Sequence, residues 1–214
     1  MGQGGYIFCE LDSIQKSYPR FQQALAALET KAVLSCANDW FPKLSPETVF
    51  AKLKSQDDPF GRTTILPACF DDHSSNPILS ASWRQLYTVA GHQMILQGVG
   101  SGETLPENMK IAWYGLAFPN KEQHITEIKW QLSDRKYGRI NLEEMHLYNK
   151  PAVVFEEGMI LDEEEAFHLY ANIKGPIPTA HDGNVGQYQS AVMLGALYYD
   201  KIDKVLGATG AAIP

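Results

Sequence analysis

Cysteine is scarce in this sequence, with three residues in 214, and the three lie far apart. Cys9, Cys36 and Cys69 form no C-x-x-C pair, so neither a zinc knuckle nor a thioredoxin-like redox site is encoded. We therefore expect three buried free thiols.

Clusters of lysine and arginine are also missing. The chain has 18 basic and 25 acidic residues, a formal net charge of −7. A short basic group, Arg135, Lys136 and Arg139, is too small for the patch or stripe that nucleic-acid-binding domains carry. We therefore expect no direct contact with nucleic acid.

Long apolar runs are absent as well. No run approaches the roughly 20 residues that span a bilayer. The first residues, MGQGGYIFCELDS, have neither the basic start nor the apolar core of a secretion signal. The sequence predicts a soluble protein that is made in the cytoplasm and has no membrane span.

Known catalytic motifs are missing too. There is no G-x-S-x-G nucleophile motif, and the glycine-rich stretch at residues 98–107 lacks the lysine of a P-loop. The six histidines show no H-x-H or H-x-[DE] spacing, which metal sites of the cupin and facial-triad types use. We predict no catalytic residue, no metal and no cofactor, and hence a protein that is not an enzyme.

The first part of the chain combines helices with loops. Pro19 suits the first turn of a helix, and apolar residues then recur at helical spacing. These residues are Phe21, Ala24, Leu25, Leu28 and Ala32. Ser45 is a suitable cap for a second, shorter helix. We interpret residues 1–82 as a partly helical, loop-rich N-terminal arm or elaboration.

From about residue 83 the apolar period changes from 3.6 to 2, which indicates β-strands. WRQLYTVAGHQMILQGVG is a strand pair or one long strand with a glycine break. In HITEIKWQLS, alternation places Ile125 on one face with Glu127 and Lys129. PAVVFEE, GMIL, AFHLYANI and SAVMLGALYYDKI follow at about ten-residue spacing, which favours an antiparallel β-sandwich or barrel. This domain covers residues 83–206, and residues 207–214 form a C-terminal tail.

One stretch, FEEGMILDEEEAFHLY at residues 155–170, concentrates six carboxylates. Glu156 and Glu157 are neighbours on a strand, so they point to opposite faces and do not share a site. Asp162 to Glu165 lie where a turn is needed, and such crowded like charge requires water around it. We interpret these four residues as a solvated corner. A cation or a basic patch on a neighbouring subunit is the alternative partner for them.

Two segments of this region together resemble part of a known fold. They are KPAVVFEEGMILDEEEAFHLYANI and SAVMLGALYYDKI, and the second has Gly195 at its centre. Their order of strands, acidic turn and glycine/proline loop resembles the C-terminal half of the single jelly roll of viral capsid, spike and decoration proteins, over roughly residues 83–206. The resemblance implies a jelly-roll-like antiparallel β-sandwich with an N-terminal arm that lies across neighbouring subunits. Many capsid arms are basic and this one is not, which favours a shell or surface role over genome packaging.

We therefore predict a non-enzymatic, self-assembling structural protein of the viral capsid or shell type. Its partners would be further copies of itself and other shell proteins, and its location would be the virion. Aromatic side chains are enriched at interfaces, and the glycine-rich start is poorly suited to fold alone. The candidate subunit-interface residues are Tyr6, Phe8, Asp162, Glu163, Glu164 and Glu165.

Two alternatives remain open. The first is a cupin-like metal-binding barrel enzyme, whose ligands would come from His92, His124, His146 or His168 together with an acid. The second is a glycan- or receptor-binding β-sandwich. Its stacking platforms would be exposed aromatic side chains such as Trp113, Tyr114 or Tyr188.

Overall fold

The structure is a computed structural model. It describes residues 5–10, 19–45, 47–48, 51, 61–71, 82–99, 102–120, 122–163, 165–177 and 186–200. Most of these residues lie in strands, so the prediction of a mainly β chain is confirmed. The named elements are β1 (Tyr6–Cys9), α1 (Pro19–Trp40), β2 (Gly61–Thr64), a 3-10 turn (Pro67–Cys69), β3 (Phe70–Asp71), β4 (Arg84–Tyr87), β5 (Gly91–Gly98), β6 (Met109–Ala117), β7 (Ile125–Leu132), β8 (Arg135–Asn141), α2 (Glu143–Leu147), β9 (Ala152–Leu161), β10 (Phe167–Ile173), β11 (Gln187–Ser190) and β12 (Val192–Tyr199).

In the part of the chain that the structure describes, the strands form two five-stranded sheets and one two-stranded sheet. Sheet 1 has the order β1-β9-β6-β12-β2, and sheet 2 has the order β3-β5-β10-β7-β8. The small third sheet pairs β4 with β11. All the strand pairs are antiparallel, as the sequence predicted.

A shared aromatic core joins the two large sheets into a sandwich-like fold. The ring of Trp113 in sheet 1 lies 5.6 Å from the rings of Trp130 and Phe167 in sheet 2, with an edge-to-face orientation in both pairs. Phe155 completes the group, 4.9 Å from Trp113. Edge-to-face contacts suit the ring quadrupoles and add to the gain from burying apolar area.

Helix α1 covers the other face of sheet 1. Its buried residues recur three or four positions apart, as an amphipathic helix requires, and pack against β6, β9 and β12. They are Phe21, Leu28, Ala32, Val33, Cys36 and Ala37. The predicted helix is thereby confirmed. With the core on one side and α1 on the other, β6 is buried along nearly its whole length, which explains its almost continuous apolar sequence.

Strand β9 is a single ten-residue strand where the sequence predicted two shorter ones. Trp113 pairs with Met159, but Gly115 pairs with Val154, so residues 155–158 bulge out opposite Tyr114. A Cβ atom on Gly158 would lie 2.4 Å from Leu28 Cδ2. The glycine therefore lets α1 pack directly on the bulge.

Two details of the predicted strands are wrong. Strands β4 and β5 do not pair with each other, because β4 pairs with β11 and β5 with β10 and β3. Ile125 is fully buried in the core with Ile128, not on the polar face with Glu127. The reason is a bulge in β7 opposite Asn172 and Ile173, where the pairing with β10 skips Thr126 and the alternation is reset.

The boundary predicted at residue 82 does not separate the sheets. Strands β1 and β2 are the two edges of sheet 1, and β3 is an edge of sheet 2, so the first 82 residues supply part of the sandwich. The predicted second helix lies largely outside the described residues. Its cap is described, since Ser45 Oγ accepts a hydrogen bond from the Thr48 N–H at 3.3 Å, the geometry of an N-cap. The predicted tail at residues 207–214 also lies outside the described residues.

Candidate functional site

The acidic corner, residues 162–165, follows the end of β9 and contacts the body of the protein. Asp162 and Glu163 are half-buried, and Glu164 lies outside the described residues. The strand ends at Leu161, which is fully buried and fixes the start of the corner against the core. Asp162 and Glu163 therefore emerge next to β6 and the C-terminal half of α1.

Lys110 is the cation that the corner meets. It lies on β6, in an otherwise apolar strand, and only 2% of its side chain is exposed. Its Nζ donates to Asp162 Oδ1 at 2.6 Å, to Ser35 Oγ at 2.8 Å and to Asp39 Oδ2. All three donor positions of the ammonium group are thus used.

Helix geometry brings Ser35 and Asp39 to the same ammonium group. The two residues are four positions apart on α1, so they lie one above the other on one face of the helix. That face is turned toward β6, where Ala32 and Cys36 are buried against the sheet. We call Lys110, Ser35, Asp39 and Asp162 the Lys110 cluster.

The charge state of the cluster follows from its contacts. Burial would lower the pKa of Lys110, but hydrogen bonds and attraction from Asp162 and Asp39 outweigh burial and raise it. Lys110 is therefore a charged lysine held between two carboxylates. Such a group is not an amine nucleophile, for which the pKa would have to be lowered.

Glu163 makes a second connection to α1. Its Oε1 accepts a 2.8 Å hydrogen bond from Trp40 Nε1 at the helix end. Its Oε2 accepts one from the backbone N–H of Asn108, just before β6. The Trp40 ring centroid lies 6.0 Å from Lys110 Nζ, so the two connections are adjacent.

Glu165 differs from its neighbours. Burial, and next the charge of Asp162, raises the pKa of this carboxyl group. Its backbone N–H donates to Asp162 O at 3.3 Å, which closes the turn. Glu165 therefore contributes backbone geometry rather than a favourable charge.

The corner is thus an attachment point for α1 within the same chain. The expectation that water alone surrounds these carboxylates is wrong for Asp162 and Glu163, because each accepts hydrogen bonds from the protein. The role of Asp162, Glu163, Glu164 and Glu165 in a subunit interface stays a prediction. Glu156 and Glu157 are exposed in the β9 bulge, and no contact joins their side chains among the described residues.

Tyr6 and Phe8, the other candidate interface residues, lie together on β1. Their rings are 5.4 Å apart in an edge-to-face arrangement. Phe8 packs partly against the core, whereas Tyr6 is 44% exposed. Their role in an interface also stays a prediction, although they form one aromatic pair on an edge strand.

The four histidines proposed for a cupin-like site lie on separate elements with separate partners. The Nε2 of His146 contacts Ile125 O at 2.8 Å, and that of His168 contacts Glu103 at 2.5 Å. His92 lies on β5, 3.9 Å from Glu127, and His124 lies just before β7. Within the described ranges, no three His, Cys, Asp or Glu side chains are grouped as a metal ion would require.

The aromatic residues proposed as glycan platforms are largely occupied. Trp113 is fully buried in the core, so that proposal is wrong for this residue. Tyr114 is half-buried and packs on Phe21 of α1 at 5.5 Å. The ring of Tyr188 is covered by the Arg84 guanidinium group, 4.0 Å from its centroid.

Sequence reasoning missed Lys110, Ser35, Asp39 and Trp40. One signal was available, namely Lys110 inside the otherwise apolar run MKIAWYGLA. A lysine in such a strand is expected to be buried, and a buried cation requires carboxylate partners. The partners carry no such signal.

Among the residues that the structure describes, no helix combines the length and apolar character needed to cross a membrane. Comparison of the chain with protein-family models, with curated proteins and with solved structures found no match.

Proposed function

We propose that this chain is a non-enzymatic structural protein that assembles with copies of itself into a shell of the viral capsid type, and that its two sheets form a jelly roll. In this proposal the chain is part of a virion and contacts other shell proteins. The acidic corner holds α1 on each subunit.

The strand order is the observation that carries the proposal. Four antiparallel pairs of the two large sheets are nested along the chain, β7 with β8, β6 with β9, β5 with β10 and β2 with β12. Eight strands paired in this way and divided between two sheets fit the jelly roll, a fold used by viral capsid proteins, lectins and cupins.

The filled interior favours a structural, capsid-type protein over a cupin-like enzyme. Trp113, Trp130, Phe155 and Phe167 occupy the space between the sheets. A cupin-like enzyme needs polar ligands converging on that space, whereas here aromatic rings converge on it. Fold alone does not establish function, so the proposal depends on an assembly experiment.

Multi-angle light scattering over a wide concentration range, followed by electron microscopy of the concentrated protein, tests the proposal. We expect mass to rise with concentration and particles, tubes or rings to appear. A chain that stays monomeric at every concentration and in every salt condition contradicts the proposal.

A further inference from the structure

The four edge strands of the two sheets differ in how they are protected. Exposed sheet edges pair with other chains unless charges, bulges or short length prevent it. Strand β8 carries Arg135, Lys136 and Arg139 and contains a register shift. Strand β3 has two residues, and β2 carries Arg62, which is paired with Glu29.

Strand β1 is four residues long, as β2 is, but it has neither a charge nor a bulge to protect its edge. Its sequence, YIFC, contains no charge, no proline and no glycine. It pairs with β9 on one side, and no strand among the described residues pairs with its other side. An identical copy can therefore approach this edge without like charges facing each other, which is not so at β8.

The backbone of β1 is oriented for such pairing. The N–H of Glu156 donates to Gly5 O at 2.8 Å. Gly5, Ile7 and Cys9 therefore form the hydrogen-bonded pairs with β9. Hydrogen bonds alternate along an antiparallel pair. The N–H and C=O groups of Tyr6 and Phe8 consequently point to the open edge.

We propose that two copies of this chain join through β1, antiparallel and centred on Ile7, so that sheet 1 continues from one copy into the other. This inference rests on the proposed self-assembly and names its contact. An isologous twofold contact places Ile7 opposite Ile7 of the second copy and Tyr6 opposite Phe8. None of the side chains that face each other across β1 then carries a charge.

The aromatic pair adds to this contact. Tyr6 and Phe8 lie on the face of the strand that is turned toward the core side of sheet 1, since their partners Phe155 and Val153 belong to the core. The twofold axis brings two such pairs together into a group of four rings. Cross-strand aromatic pairs stabilise sheets, and the exposed ring of Tyr6 becomes covered.

A cysteine cross-link tests both the contact and its register. Ile7 and its copy form a non-hydrogen-bonded pair with Cα atoms about 4.5 Å apart, within the range of a disulfide. We expect Ile7→Cys to give a covalent dimer rapidly under mild oxidation. The control is Leu147→Cys, because Leu147 is 76% exposed on α2 and its cysteine meets a copy only by random collision. The native cysteines are buried and do not compete.

A second variant tests the backbone contact. Tyr6→Pro removes an N–H that points away from β9, so the β1–β9 pairing persists while the open edge is blocked. We expect it to lose association, and Tyr6→Phe, which keeps the N–H and the ring, to retain it. Far-UV circular dichroism checks that both variants fold.

The outcomes separate the two proposals. The β1 contact is overturned, and the shell function stands, if the wild type assembles but either of two results is seen. The first is that Ile7→Cys cross-links no faster than Leu147→Cys. The second is that Tyr6→Pro assembles normally. A wild-type protein that never associates overturns both.

Discussion

In the Lys110 cluster, removing the two carboxylates should lower the free energy of unfolding much more than removing the ammonium group. Lys110 is buried, whereas the side chains of Asp39 and Asp162 remain 52% and 47% exposed. Replacing both aspartates by asparagine leaves a buried ammonium group without a carboxylate. Breaking a buried pair in this way costs about 3–5 kcal/mol of unfolding free energy.

Lys110→Met has a much smaller expected effect. Methionine keeps the unbranched stem that packs between α1 and β6, and the two half-exposed carboxylates turn to water. We expect a loss of about 1 kcal/mol, the scale of exposed ion pairs. Adding Lys110→Met to the double asparagine variant removes the unpaired charge, so the triple variant should recover most of the lost stability.

Urea unfolding, followed by tryptophan fluorescence and far-UV circular dichroism, measures these differences by linear extrapolation. For a chain of this size each kcal/mol corresponds to about 2–4 °C in Tm, so the double variant should melt about 6–20 °C lower than the wild type. A double variant no less stable than Lys110→Met would refute the reasoning, because Lys110 would then not depend on these carboxylates.

Four further predictions follow from the same structure. Because the pKa of Lys110 is raised in the fold, the stability from its charge is complete below the ordinary value of 10.5 and is lost as pH rises through the raised value. Alkaline pH should therefore destabilise the wild type more than Lys110→Met in urea titrations. Glu165→Gln should equal or exceed the wild type in stability at pH 7, since the fold favours the protonated form of Glu165, and this advantage should disappear as pH falls through the raised pKa. Gly195→Ala should cost about 1–3 kcal/mol in urea unfolding, because its Cβ would lie 2.2 Å from Ala112 O; unchanged stability would show that β12 and β6 separate easily there. The three cysteines, whose pKa values burial raises to about 11, 12 and 12, should resist a thiol reagent until urea unfolds the chain.

Elements with a strong local period were predictable. The apolar spacing of α1 and the alternation of β10 each identify an element without reference to the rest of the chain. The bulges in β7 and β9 were not predictable in this way. At Thr126 and at residues 155–158 the pairing of distant strands decides which residue is skipped, and local alternation carries no information about that partner.

The contacts of the acidic corner depend on the same long-range information. Lys110 has two carboxylate partners. Asp39 lies 71 residues before it along the chain, and Asp162 lies 52 residues after it. Four acidic residues in a row have the sequence of a solvated turn, and only the positions of β6 and α1 beside that turn supply Asp162 and Glu163 with donors. A buried lysine is therefore the better signal, because it requires partners wherever they are.

The nested strand pairs have a consequence for how the chain folds. In each pair, the two paired residues nearest to each other along the chain mark the loop that the pair closes. They are Leu132 and Arg135 for β7–β8, Ala117 and Ala152 for β6–β9, Gln97 and His168 for β5–β10, and Thr64 and Ala196 for β2–β12. Closing the outermost pair first would fix a very long loop, whose entropy cost grows with the logarithm of its length. When pairing starts at the β7–β8 turn, each later pair closes only the segments added on either side, and the β4–β11 pair forms between β5–β10 and β2–β12. The chain can thus reach a topology rich in distant contacts by a series of local steps.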